Sequence, residues 1–160
     1  MLTRRFFLMS SAVCLAGCAT RPKAEKPATR SVSAAPPLYP NETPELRAKI
    51  NKWADHYDLP RGLVHRLAIR ESTHRPWARS GPYWGLLQIL PQTARTMGFQ
   101  GANSDLLDAD TNLQFGLKYL RGAYIVADGD WDAAIMWYAR GYYYEAKRKG
   151  LLVETGLRSG

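Results

Sequence analysis

Cysteine is almost absent from this chain of 160 residues: only Cys14 and Cys18 occur, both close to the N-terminus. Everything after Cys18 lacks a thiol, which excludes disulfides, thiol nucleophiles and cysteine-ligated metals there, so a domain must stand on packing alone. Histidine offers metals little more. His56, His65 and His74 recur nine residues apart with no His-Glu-x-x-His pair, and each reads as ordinary surface or core. Gly-rich phosphate loops are missing, and acidic residues are scarce, 14 against 22 lysines and arginines. The longest apolar run, Phe6 to Gly17, falls well short of the roughly 20 residues a membrane-crossing helix needs.

What that run does offer is the plan of an export signal. "MLTRRFFLMSSAVCLAGCAT" begins with Arg4 and Arg5, continues through the apolar stretch and ends in small residues around Cys18. Thr3-Arg4-Arg5-Phe6-Phe7-Leu8 resembles a twin-arginine signal, with Met9 where Lys often follows; a plain secretory signal is the alternative. Leu15-Ala16-Gly17-Cys18 resembles a bacterial lipobox, which implies removal of residues 1–17 and lipid on Cys18. Each buried acyl methylene contributes about 0.8 kcal/mol, so several chains tether a protein durably without a spanning helix. The expected address is the periplasmic side of a bacterial membrane, the outer one by preference.

Between Ala19 and Pro44 lie six of the ten prolines and hardly any large apolar side chains. Such composition does not offset its ordering entropy, and residues 18–43 read as a lipidated N-terminus and linker. Residues 44–160 then form one small domain, with no internal repeat. The net charge of +8 includes Arg4 and Arg5, which leave with the signal. What remains is basic and favours an anionic partner. In a cytoplasmic protein "WYARGYYYEAKRKG" would suggest single-stranded nucleic acid, since aromatics interleaved with cations suit it. Export argues against that, and cell-wall glycans or lipid head groups become the expected polyanions.

The domain is predicted to be all-α. Thr43 and Pro44 open a helix with Leu46, Ile50, Trp53 and Tyr57 on one face. A second begins near Asp58 and Pro60. Others are expected at 91–97, about 110–127, 130–139 and 142–149; only short runs such as "WGLLQIL" are ambiguous for strand. On the second helix, Val64, Leu67 and Ala68 share a side with Glu71, while Arg66 and Ile69 lie opposite. Glu71 therefore joins the apolar face. Apolar neighbours and the negative helix end both disfavour its ionised form, and Arg70 and Arg75 oppose them. A pKa rise of two units costs about 2.7 kcal/mol, which suits a functional acid better than a structural residue. A Glu reaching out to pair with either arginine remains open on this stretch alone.

The order of the residues that follow narrows the choice. Glu71-Ser72, Pro76, Ala78, Ser80, Gly85-Leu86-Leu87-Gln88-Ile89, Pro91, Thr93-Ala94, Leu106-Leu107-Asp108, Asn112-Leu113, Gly116, Tyr119-Leu120, Tyr138 and Gly141 together resemble the soluble lytic transglycosylase (SLT) family. The likeness runs from the helix before Glu71 to the region near Lys149. It implies a lysozyme-like fold and cleavage of the bond between N-acetylmuramic acid and N-acetylglucosamine in peptidoglycan strands, without metal or other cofactor. Glu71 is then the catalytic acid that later acts as base, aided by the substrate's acetamido group in place of a second carboxylate. Consistent with that, the next acidic residue after Glu71 is Asp105. Gln88, Tyr138 and Ser72 carry over as substrate-binding residues. Each also has a structural reading: a loop-to-helix hydrogen bond, a core aromatic and a helix cap, respectively.

Two departures stand out. After Tyr138 this chain has Ala139 and Arg140 where the family usually has Asn and Ala, which removes a polar contact and adds a cation suited to a stem-peptide or muramyl carboxylate. The "GPYWG" loop is a residue shorter than the common form, and its Tyr83 and Trp84 either stack on sugars or pack. Rival readings are a hydrolytic muramidase of the same fold and a wall-binding lipoprotein without activity.

Overall fold

The computed structural model describes residues 36–158. The proposed signal at 1–17, Cys18 and the first part of the linker lie outside the described residues. Helix α1 (Pro44–His56) starts as expected: the Thr43 side chain accepts from the Leu46 N–H at 3.2 Å, Pro44 takes the first turn, and Leu46, Ile50 and Ala54 are buried. Asp58, with φ 48°, turns the chain into α2 (Arg61–Ser72), which buries Leu63, Val64, Leu67 and Ala68. A two-residue hairpin follows, β1 (Arg79–Ser80) against β2 (Tyr83–Trp84), with Arg79 opposite Trp84 and Ser80 opposite Tyr83. Strands this short leave no alternation for a sequence to display.

Helix α3 (Pro91–Thr96) and a 3₁₀ turn (Asn103–Leu107) lead into α4 (Ala109–Val126). Asp108 caps α4 by accepting from the Thr111 N–H at 2.8 Å, and Asp130 caps α5 (Trp131–Arg140) in the same way through Ala133 at 2.7 Å. A short α6 (Tyr143–Lys149) completes the set and ends at Gly150 in the left-handed conformation. The axis of the domain is α4, which touches α1, α3, α5, α6 and the 3₁₀ turn. Its Leu113, Leu117, Leu120 and Ala123 are fully buried, each leucine contributing about 1.5–3 kcal/mol. Gly122 lies inside this helix at a cost of about 1 kcal/mol relative to Ala. The reason is contact: a Cβ there would stand 2.2 Å from the Tyr142 hydroxyl, which donates to Tyr119 O at 3.0 Å.

Two apolar clusters result. The larger joins α1, α2, α4, α5 and α6, and the smaller gathers Ile89, Ala94, Phe99 and Leu106 beside Trp84 and Phe115. No helix of the described residues is long and apolar enough to cross a membrane.

The compact unit begins at Pro36, earlier than the expected boundary at residue 44. Residues 36–43 form a strap. Glu42 is buried, and Arg47 grips it through Nε at 3.1 Å and Nη2 at 2.6 Å while also donating to the carbonyls of Pro36 and Pro37. Tyr39 donates its N–H to Glu42 Oε2 at 2.9 Å and stacks on His74 with ring centroids 5.1 Å apart. Asn41 Nδ2 donates to Thr73 O at 2.9 Å. Linker-like composition concealed this segment, because its anchors, Tyr39 and Glu42, find partners only in the folded domain.

Burial raises the Glu42 pKa, but hydrogen bonds from Arg47 and the Tyr39 N–H, with the charges of His65 and Arg47, outweigh it and leave the carboxyl below its ordinary value of 4.5. A depressed carboxyl adds stability that is present above the unfolded pKa and lost as pH falls through the folded one. Removing one partner of a buried pair costs about 3–5 kcal/mol. Glu42→Ala is therefore expected to lower urea-unfolding stability by about 3 kcal/mol at neutral pH, and by much less in acid where Glu42 is protonated.

Candidate active site

An open cleft of about 500 Å³ lies where the end of α2, the hairpin, the Gln88 loop, α3 and the end of α5 converge. Glu71 sits on its wall in the last turn of α2, with its side chain 21% exposed. Burial raises its pKa above 4.5, and the charge of Arg70, with Nε 3.5 Å from Glu71 Oε1, only partly opposes this. Arg75, the other expected partner, turns elsewhere: its Nε donates to Ser72 O at 2.7 Å and covers the helix end. Among the described residues Glu71 is the only acidic one that lines the cleft.

The helix end that presents Glu71 is tightly held. Thr73 and His74 adopt φ of 53° and 56°, left-handed values that are costly outside glycine. Ser72 is 2% exposed; its hydroxyl donates to Leu86 O at 2.7 Å and accepts from the Arg75 N–H at 3.1 Å. Ser72 does not line the cleft. The expectation that it contacts substrate is therefore corrected: both sides of its hydroxyl are committed to tying the end of α2 to the loop that carries Gln88.

That loop hangs on Asn112, fully buried in α4. Its Oδ1 accepts from the Leu87 N–H at 2.9 Å, and its Nδ2 donates to Trp84 O at 2.9 Å and to Leu106 O at 2.7 Å. Gly85, with φ 75°, is needed for the same contact, since a Cβ there would come within 2.2 Å of Asn112 Nδ2. Gln88 has φ 47° and lines the cleft; its Nε2 donates to Gly85 O at 2.8 Å and Ala78 O at 3.1 Å. Among the described residues nothing donates to its Oε1, and that atom is not a buried unsatisfied group, so it remains open to a ligand.

Tyr138, in the last turn of α5, completes the wall. It is mostly buried and donates to Leu87 O at 3.0 Å, leaving the oxygen lone pairs for an incoming donor. Burial, then the charge of Glu71, hold its pKa well above 10, so it stays a neutral phenol. The loop aromatics divide: Tyr83 is exposed and lines the cleft, whereas Trp84 packs against the smaller cluster with the Arg79 guanidinium 3.9 Å over its ring. Arg70, Thr93 and Tyr119 also line the cleft. The sequence singled out none of them as site residues, because Thr93 and Tyr119 stood only among family positions and Arg70 only as a charge beside Glu71.

One cluster elsewhere has the makings of a metal site. Ligand-type atoms of Glu42, His65 and His74 lie within 4.8 Å of one another, drawn from three segments that spacing alone does not connect. Both oxygens of Glu42 are already held by Arg47, whose charge opposes a second cation, and His65 Nδ1 shares a hydrogen bond of 3.1 Å with His74 Nε2. Burial lowers both histidine pKa values below their ordinary 6.5. The trio is an anchor for the strap.

A helical domain with a shielded carboxyl group and a tyrosine–glutamine wall in an open cleft is consistent with a lysozyme-like fold. The comparison with known families is specific: the Transglycosylase SLT domain model matches residues 48–151, and the chain belongs to that family, whose members are lytic transglycosylases acting on peptidoglycan. No solved structure matches the chain. The match ends one residue after the α6 C-cap and leaves out the strap.

Asn112→Ala strands the buried Leu87 N–H and the buried Leu106 carbonyl, at about 1–3 kcal/mol for each group left unpaired, while Trp84 O keeps the Ile89 N–H. A loss of about 3 kcal/mol in chemical denaturation is the expected result. Glu71→Gln has the opposite sign. A carboxyl whose pKa is raised on folding favours the fold below its unfolded pKa and loses that advantage as pH rises through the folded value. The Gln variant is thus expected to melt higher than wild type at neutral pH, with the difference gone below pH 4.5.

Proposed function

We propose that the protein is a lytic transglycosylase that cleaves the bond from N-acetylmuramic acid to N-acetylglucosamine and leaves 1,6-anhydro ends, with Glu71 as acid and then base. The observation that carries this is the isolation of Glu71: it is shielded, its pKa is raised, and among the described residues no second carboxylate lines the cleft. A two-carboxylate mechanism has no partner available there.

In the first step protonated Glu71 gives its proton to the glycosidic oxygen while the acetamido oxygen of the muramyl sugar bonds to its own C1, and the N-acetylglucosamine leaves. In the second, ionised Glu71 takes the proton of the C6 hydroxyl as that oxygen displaces the acetamido group at C1. The ring closes and Glu71 is again protonated. Tyr138 suits the acetamido group: its own proton is committed to Leu87 O, so its oxygen accepts the amide N–H. Gln88 offers Oε1 to a sugar hydroxyl while two carbonyls hold its amino group in place. Preset geometry of this kind lowers the barrier by avoiding reorganisation during reaction.

The sequence signals extend the proposal to location. Export through residues 1–17 and lipid on Cys18 would hold the domain against a bacterial membrane, facing the wall, and the basic character of the chain suits an anionic polymer there.

Digestion of purified peptidoglycan by wild-type protein, followed by mass spectrometry, is expected to yield muropeptides lighter by one water than hydrolase products. Reducing ends would indicate a muramidase, and an absence of soluble fragments a binder; either refutes the assignment. Glu71→Gln is expected to lower turnover by about 10²–10⁴-fold, the usual worth of a positioned acid–base group. For wild type, kcat/KM should fall as pH rises through the elevated Glu71 pKa, because the free enzyme must carry the proton.

A further inference from the structure

The cleft carries more positive charge than the acid–base step requires. Arg70 and Arg140 both line it, and Arg70 leans on Glu71. Arg140 differs. It is exposed at the C-terminal end of α5, and among the described residues its side chain forms no ion pair and no hydrogen bond to protein. Elsewhere the described surface tends to pair its cations: Lys49 with Asp110, Arg61 with Asp55, Arg66 with Asp132, Arg148 with Glu145 and Lys149 with Asp128. The residue before it, Ala139, also lines the cleft and offers no polar side chain, and Gly141 follows with φ 84°. The free guanidinium therefore lines the same cleft as Tyr138, two residues further along the end of α5.

Peptidoglycan bears its carboxylates on the muramyl side: on the stem peptide where one is attached, and on the lactyl ether where it has been removed. A planar guanidinium fork matches a carboxylate with two parallel hydrogen bonds, a fit that an ammonium group lacks. We infer that Arg140 is a specificity-determining residue that pairs with a carboxylate on the muramyl sugar of the bound strand, so that the cleft selects charged glycan over neutral glycan. The inference rests on the cleft being the peptidoglycan site proposed above. A cation at a helix C-terminus also complements the helix dipole, which would make Arg140 merely stabilising, and the test separates the two.

Binding is measured with the full chain carrying Glu71→Gln, so that bound strands are not cut and the result does not depend on the chemistry. The probes are peptide-bearing strands and amidase-stripped strands with free lactyl carboxylates, each used as isolated and after carbodiimide-driven amidation. A charge-assisted pair contributes enough that its loss weakens binding by about tenfold or more. Amidation of the recognised strand is expected to weaken the parent by that factor, Arg140→Gln to weaken binding to the untreated strand by the same factor, and the two losses not to add. Arg140→Lys should retain part of the affinity. Whichever untreated strand shows the effect identifies the carboxylate.

Equal binding of charged strands by parent and Arg140→Gln proteins overturns the inference. So does an equal loss from Lys52→Gln, which removes the same charge away from the cleft and would indicate bulk attraction alone. A lower melting temperature in Arg140→Gln that accompanies the loss would assign Arg140 to the helix end and overturn it as well. Failure of wild type to form anhydro products bears on the reaction and leaves these binding results intact.

Discussion

The last turn of α2 has to stop where it does, and much of the cleft is arranged around that stop. The stop lets the chain turn from the end of α2 toward the hairpin, whose Ser80 and Tyr83 line the same cleft as Glu71. The chain enforces the stop by unfavourable means: two successive non-glycine residues in left-handed conformation, and a fully buried His74 whose Nδ1 has no partner among the described residues. Such costs, on the order of 1–3 kcal/mol each, persist only where surrounding contacts over-determine the geometry. Here they do. The Ser72 hydroxyl, the Arg75 side chain, the Asn41 amide and the Tyr39 ring all close on the three residues after Glu71.

Leu87 is the counterpart on the opposite wall. Its N–H is taken by Asn112 of α4 and its carbonyl by Tyr138 of α5, so both polar backbone groups of one residue are referenced to two packed helices. Gln88 follows directly and inherits that position. The carboxyl, the amide and the phenol are thus carried by two helix ends and one loop that share hydrogen bonds, and the loop has little freedom of its own. A site supported in this way keeps its geometry through packing of the larger core, which explains how a domain without a single thiol holds the shielded Glu71 carboxyl in place.

Helices were readable because their signals are local. Thr43-Pro44 and Asp130 announce helix starts, and the face of α2 that carries Glu71 follows from a spacing of three and four. The hairpin escaped because two residues per strand give no period. The strap escaped because proline and alanine dominate its surroundings while its binding energy depends on Arg47, His65 and His74. At the site, the motif residues Glu71, Gln88 and Tyr138 all line the cleft. They could not separate wall from support, and Ser72 proved to be support, since whether a hydroxyl faces sugar or a carbonyl is decided by tertiary contacts alone.

The strap also determines where mechanical load would enter the domain. Tension drawn along the polypeptide from the residues before Pro36 would reach Arg47 and Glu42 first, then pass through Tyr39 and Asn41 to His74 and Thr73. The turn that aims Glu71 is the next link in that line. A molecule fastened by its leading end while it grips a stretched polymer would feel the strain of that polymer at the turn beside Glu71.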